Sequence, residues 1–195
     1  MMQQNGKCCV ICTEADRMDN YRLLIEQCRQ NDGKAQMQFY KLFYKPVFNS
    51  CYRILSDSNE AEEVMQETFL KVFMDTYLLN EDKVVMERIL KRIVINRAID
   101  ICRKRKMVFV PLEGSRYEYT ENESYDEDVF FNMEIKTVYK AIQELPDGYR
   151  LILTLHLIEE MSYNEISAQI NVSASGVRSQ YARARKKLIE KLTVK

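Results

Sequence analysis

The stretch from Met161 to Leu192 constrains what this 195-residue chain can fold into more tightly than any other part of it. Ser162-Tyr163-Asn164-Glu165 has the spacing of a capping box, in which a serine hydroxyl accepts from the amide three residues on and a glutamate carboxylate reaches back to the serine amide. A helix is predicted to begin there. Ile166 and Ile170 lie on one face of it, and Asn171-Val172-Ser173 brings turn and N-cap chemistry. Val177, Tyr181, Ala184, Leu188 and Leu192 then recur at helical spacing. Two amphipathic helices joined by so short a turn share one small core, the pattern of a helix-turn-helix.

The second of these helices carries Arg178, Arg183, Arg185, Lys186, Lys187 and Lys191 against Glu190 alone. In a helix-turn-helix the second helix enters the major groove, its N-terminal side chains meeting base edges and flanking basic groups meeting phosphates. By position, Arg178 and Ser179 are base-reading candidates, with Gln180 and Arg183 beside them. Arg185, Lys186 and Lys187 suit phosphates, which confer salt-dependent affinity without sequence information. Charge alone fits a solvated surface helix better; the capping box, turn and apolar repeat together favour duplex DNA.

Lysine plus arginine and aspartate plus glutamate number 29 each, so any nucleic-acid footprint has to be local. It is segregated: Lys91, Arg92, Arg97, Arg103, Lys104, Arg105 and Lys106 stand against Asp100, whereas the stretch from Glu113 to Glu134 is acidic apart from Arg116. No apolar run is long enough to cross a bilayer and the N-terminus lacks a signal-peptide core, so a cytoplasmic protein is expected. With six cysteines, reduced thiols are the expectation, since Cys28, Cys51 and Cys102 sit in helical patterns. Cys9 and Cys12 have the spacing of a zinc-ligand pair and Cys8 precedes them, but no second pair is nearby and the sole histidine, His156, lies in an apolar run where helix packing explains it. No metal or cofactor is expected. A phosphate-binding glycine loop and a nucleophilic triad are both missing, which argues against an enzyme.

Helical periodicity organises the rest. Tyr21 to Leu55 reads as two helices broken at Asn31-Asp32-Gly33, with Pro46 either kinking the second or falling near its start. A helix beginning near Glu60 places Ala61, Val64, Met65, Thr68, Phe69, Val72 and Phe73 on one face and leaves Glu62, Glu63, Gln66 and Glu67 largely outside it. After Asn80-Glu81-Asp82, Val85 to Lys106 reads as one long helix with a basic end. Leu151 to Ile158 is hydrophobic enough for a buried strand, though its helical neighbours argue against one. The expected architecture is all-α, with two small helical domains joined by a flexible acidic linker: an N-terminal extension at 1–17, expected to be disordered, a first domain at 18–106, the linker at 107–129 and a second domain at 130–195 containing the helix-turn-helix.

Over roughly Met18 to Leu192 the chain resembles the extracytoplasmic-function sigma factors, the small class of the bacterial sigma-70 family. Asn59 to Phe73 (NEAEEVMQETFLKVF) is similar to the helix with which such factors grip the polymerase clamp. Ile95 to Lys104 (INRAIDICRK) resembles their promoter-melting helix, Leu145 to Arg150 (LPDGYR) the start of their second DNA-binding domain, and Ser162 onward its helix-turn-helix. The resemblance implies a dissociable initiation subunit whose partners are core RNA polymerase and promoter DNA, with an anti-sigma factor as a further partner. It places polymerase contacts at Glu63, Gln66, Glu67 and Phe69, although core packing explains Phe69 better. Minus-10 contacts fall at Asn96, Arg97, Asp100, Arg103 and Lys104, with simple pairing to basic neighbours the alternative for Asp100. Minus-35 contacts fall at Ser175, Arg178, Ser179, Gln180, Arg183, Arg185, Lys186 and Lys187.

The chain departs from the family pattern in three places. Met86 and Ile89 stand where an aromatic pair is common, Gly176 should weaken the start of the recognition helix, and Gln180 can read adenine where arginine would favour guanine or phosphate. The rival reading is a stand-alone helix-turn-helix regulator that never engages polymerase. It leaves the acidic Glu60 to Phe73 helix and the basic Lys91 to Lys106 helix without a role.

Overall fold

The computed structural model describes residues 14–105 and 135–193, all helix and connecting turns. Its first unit comprises α1 (Glu14–Arg29), α2 (Gly33–Leu55), α3 (Ser58–Met74), a single 3-10 turn at Thr76–Leu78 and α4 (Lys83–Lys104). The second comprises α5 (Ile135–Gln143), α6 (Asp147–Leu153), a π turn at Thr154–Ile158, α7 (Tyr163–Ile170) and α8 (Ala174–Thr193). Helix α1 begins four residues inside the stretch expected as an extension. The rest of that stretch, Cys8, Cys9 and Cys12, and the acidic linker lie outside the described residues.

One device starts three helices of the first unit. Asp32, Asp57 and Asp82, each drawn from a turn signal visible in the sequence, accept from the backbone amides two and three residues on and cap α2, α3 and α4. Each satisfies donors that a helix start leaves without intrahelical partners, and such a cap stabilises by about 1 kcal/mol. The caps also explain why α3 and α4 begin two residues earlier than apolar periodicity places them. Pro46 lies well inside α2, so the helix passes through it rather than starting there.

Helix α2 is the centre of the first unit, burying Ala35, Phe39, Phe43, Val47, Cys51, Ile54 and Leu55. The Phe39 ring lies 4.8 Å from Phe43, 6.1 Å from Phe69 and 5.6 Å from Phe73, spacings at which aromatic rings attract beyond their area burial. From the other side α4 contributes Met86, Leu90, Val94, Ile95, Ala98, Ile99 and Cys102. Met86, at one position where an aromatic is common in the family, is fully buried.

Leu151 to Ile158 is helical, as its neighbours implied, but it changes pitch: α6 gives way to the π turn, and Glu159, bonded back to Thr154, closes it. Both expected helical units are present, and they pack on each other. Leu151, Ile152, Leu155, Ile166, Ile170 and Val177 join the same buried cluster as the α2 and α4 residues. A second, smaller core gathers Ala141, Ile142, Leu145, Leu153, Ala184, Leu188 and Leu192. Among the described residues no helix is long and apolar enough to cross a membrane.

Three thiols are sealed into the fold. Burial pushes the Cys51 thiol up to about 12 and those of Cys28 and Cys102 to about 11, against an ordinary value near 9. The fold therefore stabilises the protonated forms, and that contribution is complete below pH 9 and lost as pH climbs through 11 to 12. Denaturant titrations should show stability falling across that window. A thiol reagent at pH 8 should leave all three residues unmodified until the chain is unfolded; prompt labelling of the native protein would contradict this placement.

Candidate nucleic-acid interface

The helix-turn-helix forms as its residues dictate. Ser162 Oγ accepts from the Glu165 amide at 3.3 Å, while Glu165 Oε2 accepts from the Ser162 amide at 2.8 Å and from its hydroxyl at 2.7 Å. Those bonds, the hydroxyl's first and then the amide's, hold the Glu165 carboxyl below its ordinary range. Asn171 ends α7 in the left-handed conformation (φ 61°), which asparagine adopts more readily than most residues. Ser173 Oγ then accepts from the Gly176 amide at 3.1 Å and starts α8. Gly176, the position expected to weaken the helix start, is buried with Val177.

The predicted minus-35 residues divide by position on α8. Ser175, Ser179 and Arg183, four apart, run along one face. Ser175, Arg178, Lys186 and Lys187 are exposed, whereas Ser179, Gln180, Arg183 and Arg185 are half-buried. Arg178 lies with its guanidinium 5.7 Å over the Tyr163 ring, a cation-π contact that restricts its rotamers. Arg185 instead lines an apolar groove of about 320 Å³ with Ile135, Val138, Tyr139, Ile142 and Leu157, away from the Ser175 face. His156 is the packed residue its setting implied. Its Nδ1 is 2.8 Å from the Met161 carbonyl, and its ring lies 4.5 Å from Tyr163 and 4.6 Å from Tyr181, wedging the two helices at a fixed separation.

On α4 the predicted minus-10 residues Asn96, Arg97, Asp100, Arg103 and Lys104 are all exposed, with Asn96 and Asp100 one turn apart. Asp100 pairs with Arg103 at 3.2 Å, the plainer of the two roles foreseen for it. Arg103 also donates to the Gln169 carbonyl of α7. Arg97 pairs with Glu67 at 3.1 Å, joining a predicted DNA contact to a predicted polymerase contact. Both ion pairs are about half exposed, where such pairs contribute about 1 kcal/mol or less, so a phosphate or a protein partner can exchange into them.

Glu63, Gln66 and Glu67 form an exposed stripe on α3. Phe69 is not on it: the ring is 3% exposed and lies 4.9 Å from Tyr40, because its position falls on the apolar face that packs against α2. Two residues without a role in the sequence reading do extend the stripe, Leu70 at 62% exposure and Met74 at 87%. Their signal was present as large apolar side chains outside the buried repeat. Arg150 was likewise overlooked; it is 4% exposed and bonds across to α2.

Two helical units carrying exposed basic surfaces, one of them a capped helix-turn-helix, define an all-α DNA-binding protein. Comparison with known proteins makes the class specific. Residues 39–107 match the family described as Sigma-70 region 2 and residues 135–188 match Sigma-70, region 4, in that order. The chain is 28% identical over 179 residues to the ECF RNA polymerase sigma factor SigW of Bacillus subtilis, covering 86% of this chain and 94% of that one. It is 29% identical to SigM of the same organism, covering 77% and 91%. Among solved structures, the sigma factor RpoE of Bartonella quintana in complex with the anti-sigma factor NepR aligns with a TM-score of 0.49 at 19% identity, covering 81% of this chain and 96% of that one. This chain belongs to the sigma-70 family, in its extracytoplasmic-function class.

Replacing Ser162 with alanine removes the hydroxyl's two bonds and leaves the one from the Ser162 amide to Glu165, and it should cost about 1 kcal/mol in a urea titration, with Ser162→Thr retaining most of it. Because the fold lowers the Glu165 pKa, the cap's contribution is present above the ordinary carboxyl value and lost as pH falls through the folded one. Equal stability of wild type and Ser162→Ala at neutral pH would show the cap to be idle.

Proposed function

We propose that this chain binds core RNA polymerase through its first unit and directs initiation at particular promoters, α4 engaging the opened minus-10 region and α8 the minus-35 duplex. One observation carries the reading: exposed basic surfaces on α4 and α8 lie on two units matched in order by sigma-70 regions 2 and 4. The chain supplies recognition and no bond-making chemistry. An anti-sigma protein is the counterpart that membership of the extracytoplasmic-function class supports.

The division of labour follows from the chemistry of each surface. Glu63, Gln66 and Glu67 offer acceptors to a basic partner, and Leu70 and Met74 supply apolar area on the same stripe, which suits a protein interface better than DNA. Asn96 offers both donors and acceptors to an exposed base, with Asp100 able to accept once Arg103 turns to phosphate. Extruding a base from paired DNA costs a few kcal/mol, which pocket contacts recover. Arg97, Arg103 and Lys104 hold the strand without reading it. At α8, Arg178 at the helix start is the base reader, Gln180 suits adenine, and Lys186 and Lys187 hold phosphates.

Run-off transcription with purified core polymerase tests the class: adding this chain should produce promoter-specific transcripts that core alone does not make. An active core that gains no promoter selectivity would return the protein to the stand-alone regulator reading. Arg178→Ala should reduce discrimination among minus-35 variants by about 1 to 3 kcal/mol, read as relative affinities on duplex variants at fixed salt. Unchanged selectivity would remove Arg178 from the reading set. Glu67→Lys should weaken binding to core polymerase while leaving minus-35 duplex binding intact, and unaltered polymerase affinity would remove the α3 stripe from that interface.

A further inference from the structure

Arg178 is an exposed cation in the first turns of α8, and among the described residues it makes no hydrogen bond or ion pair. What it has instead is a ring. Its guanidinium carbon lies 5.7 Å from the ring centroid of Tyr163, which belongs to α7, the other helix of the motif. A ring face attracts the cation's charge and occupies none of its donors. Every N–H group of the arginine stays available to a base edge, and the commonest specific pairing of arginine is bidentate, to guanine O6 and N7.

The ring is itself fixed by its surroundings. Tyr163 is the first residue of α7, next to the N-cap Ser162, whose bonds with Glu165 set the backbone there. His156 stacks on the ring at 4.5 Å, and Tyr181, three residues after Arg178 on α8, lies 5.8 Å from it. A carbonyl can only accept, so His156 Nδ1 donates to Met161 at 2.8 Å and the imidazole is held in turn. That imidazole stands in the π turn Thr154–Ile158, a wide turn of the kind that recurs at functional sites. Arginine, ring and imidazole thus form one chain of contacts, from the exposed start of α8 into the packing between the two helices.

The contact bears on discrimination rather than on affinity alone. An arginine on a free stem has large rotamer entropy, and it can swing from a base that does not suit it to a nearby phosphate. The first property weakens the correct contact, and the second rescues an incorrect one. Restraint before DNA arrives reduces both. A tyrosine that served packing alone would act differently, since its loss would weaken binding to every duplex alike.

We propose that Tyr163 is a positioning residue for minus-35 recognition: its ring holds Arg178 ready for a guanine edge, so that discrimination depends on a side chain that itself reads no base. The inference rests on the reading of Arg178 as a base contact. The test measures, at fixed salt, the affinity of the full chain assembled with core polymerase for promoter duplexes varied one base pair at a time across the minus-35 element. The variants are Tyr163→Phe, Tyr163→Leu, Arg178→Ala, Tyr163→Leu/Arg178→Ala and Tyr163→trifluorophenylalanine, the last of which keeps the shape of the ring while stripping its negative face. Tyr163→Phe should retain wild-type discrimination. Tyr163→Leu and the fluorinated ring should each lower it by about two- to fivefold at the base pair where Arg178→Ala lowers it, with the salt dependence of binding unchanged because no phosphate contact is lost. In the Arg178→Ala background, Tyr163→Leu should lower it no further. If circular dichroism shows Tyr163→Leu to be unfolded, the fluorinated ring decides alone. Uniform weakening on all duplexes, full discrimination with the fluorinated ring, or an equal further loss in the Arg178→Ala background would overturn the positioning role. Unchanged discrimination in Arg178→Ala itself would overturn the base-reading role on which it rests.

Discussion

Helix α2 has to be covered along nearly its whole length, and that requirement organises both units. Its buried residues run from Ala35 to Leu55, so α1, α3 and α4 close around its body and α6 is drawn against its end. Phe39 and Phe43 fill the middle, where they meet Phe69 and Phe73 of α3. At its C-terminus the constraint changes from apolar area to unpaired carbonyls, and a buried guanidinium from the second unit answers it. One helix thus dictates the core of the first unit and the docking of the second.

The charged residues form a hierarchy set by exposure. The Arg97–Glu67 and Arg103–Asp100 pairs are about half open to water, where attraction is screened and side-chain entropy offsets most of the gain. Arg150 is almost wholly enclosed and fully bonded, as a buried charge must be to survive desolvation. The groups proposed here for outside partners thus sit in pairs that exchange readily. Arg150, enclosed and bonded to carbonyls of both units, does not.

Much of this was legible in sequence. The Ser162-to-Glu165 capping box, the turn at Asn171 to Ser173 and the apolar repeat of α8 appear in the structure as read, because they depend on bonds between residues at most four apart. The turns ahead of α2, α3 and α4 were legible too, although the capping aspartates move two helix starts earlier than hydrophobic spacing alone implies. The basic faces of α4 and α8 were visible as segregated charge. Phe69 shows where pattern becomes ambiguous, since a residue at the edge of an apolar stripe can face either way until its neighbours are fixed.

By itself, then, the sequence determined the helices, their caps, the two-unit order and the surfaces that carry acid and base, all consequences of local hydrogen bonding and 3.6-residue periodicity. Only the tertiary structure decided that Phe69 turns inward, that Leu70 and Met74 remain outside, that Arg97 meets Glu67, and that Arg150 caps a helix in the other unit. Those outcomes join residues from 30 to 96 positions apart, and no local period records which distant carbonyl or carboxylate a side chain will find.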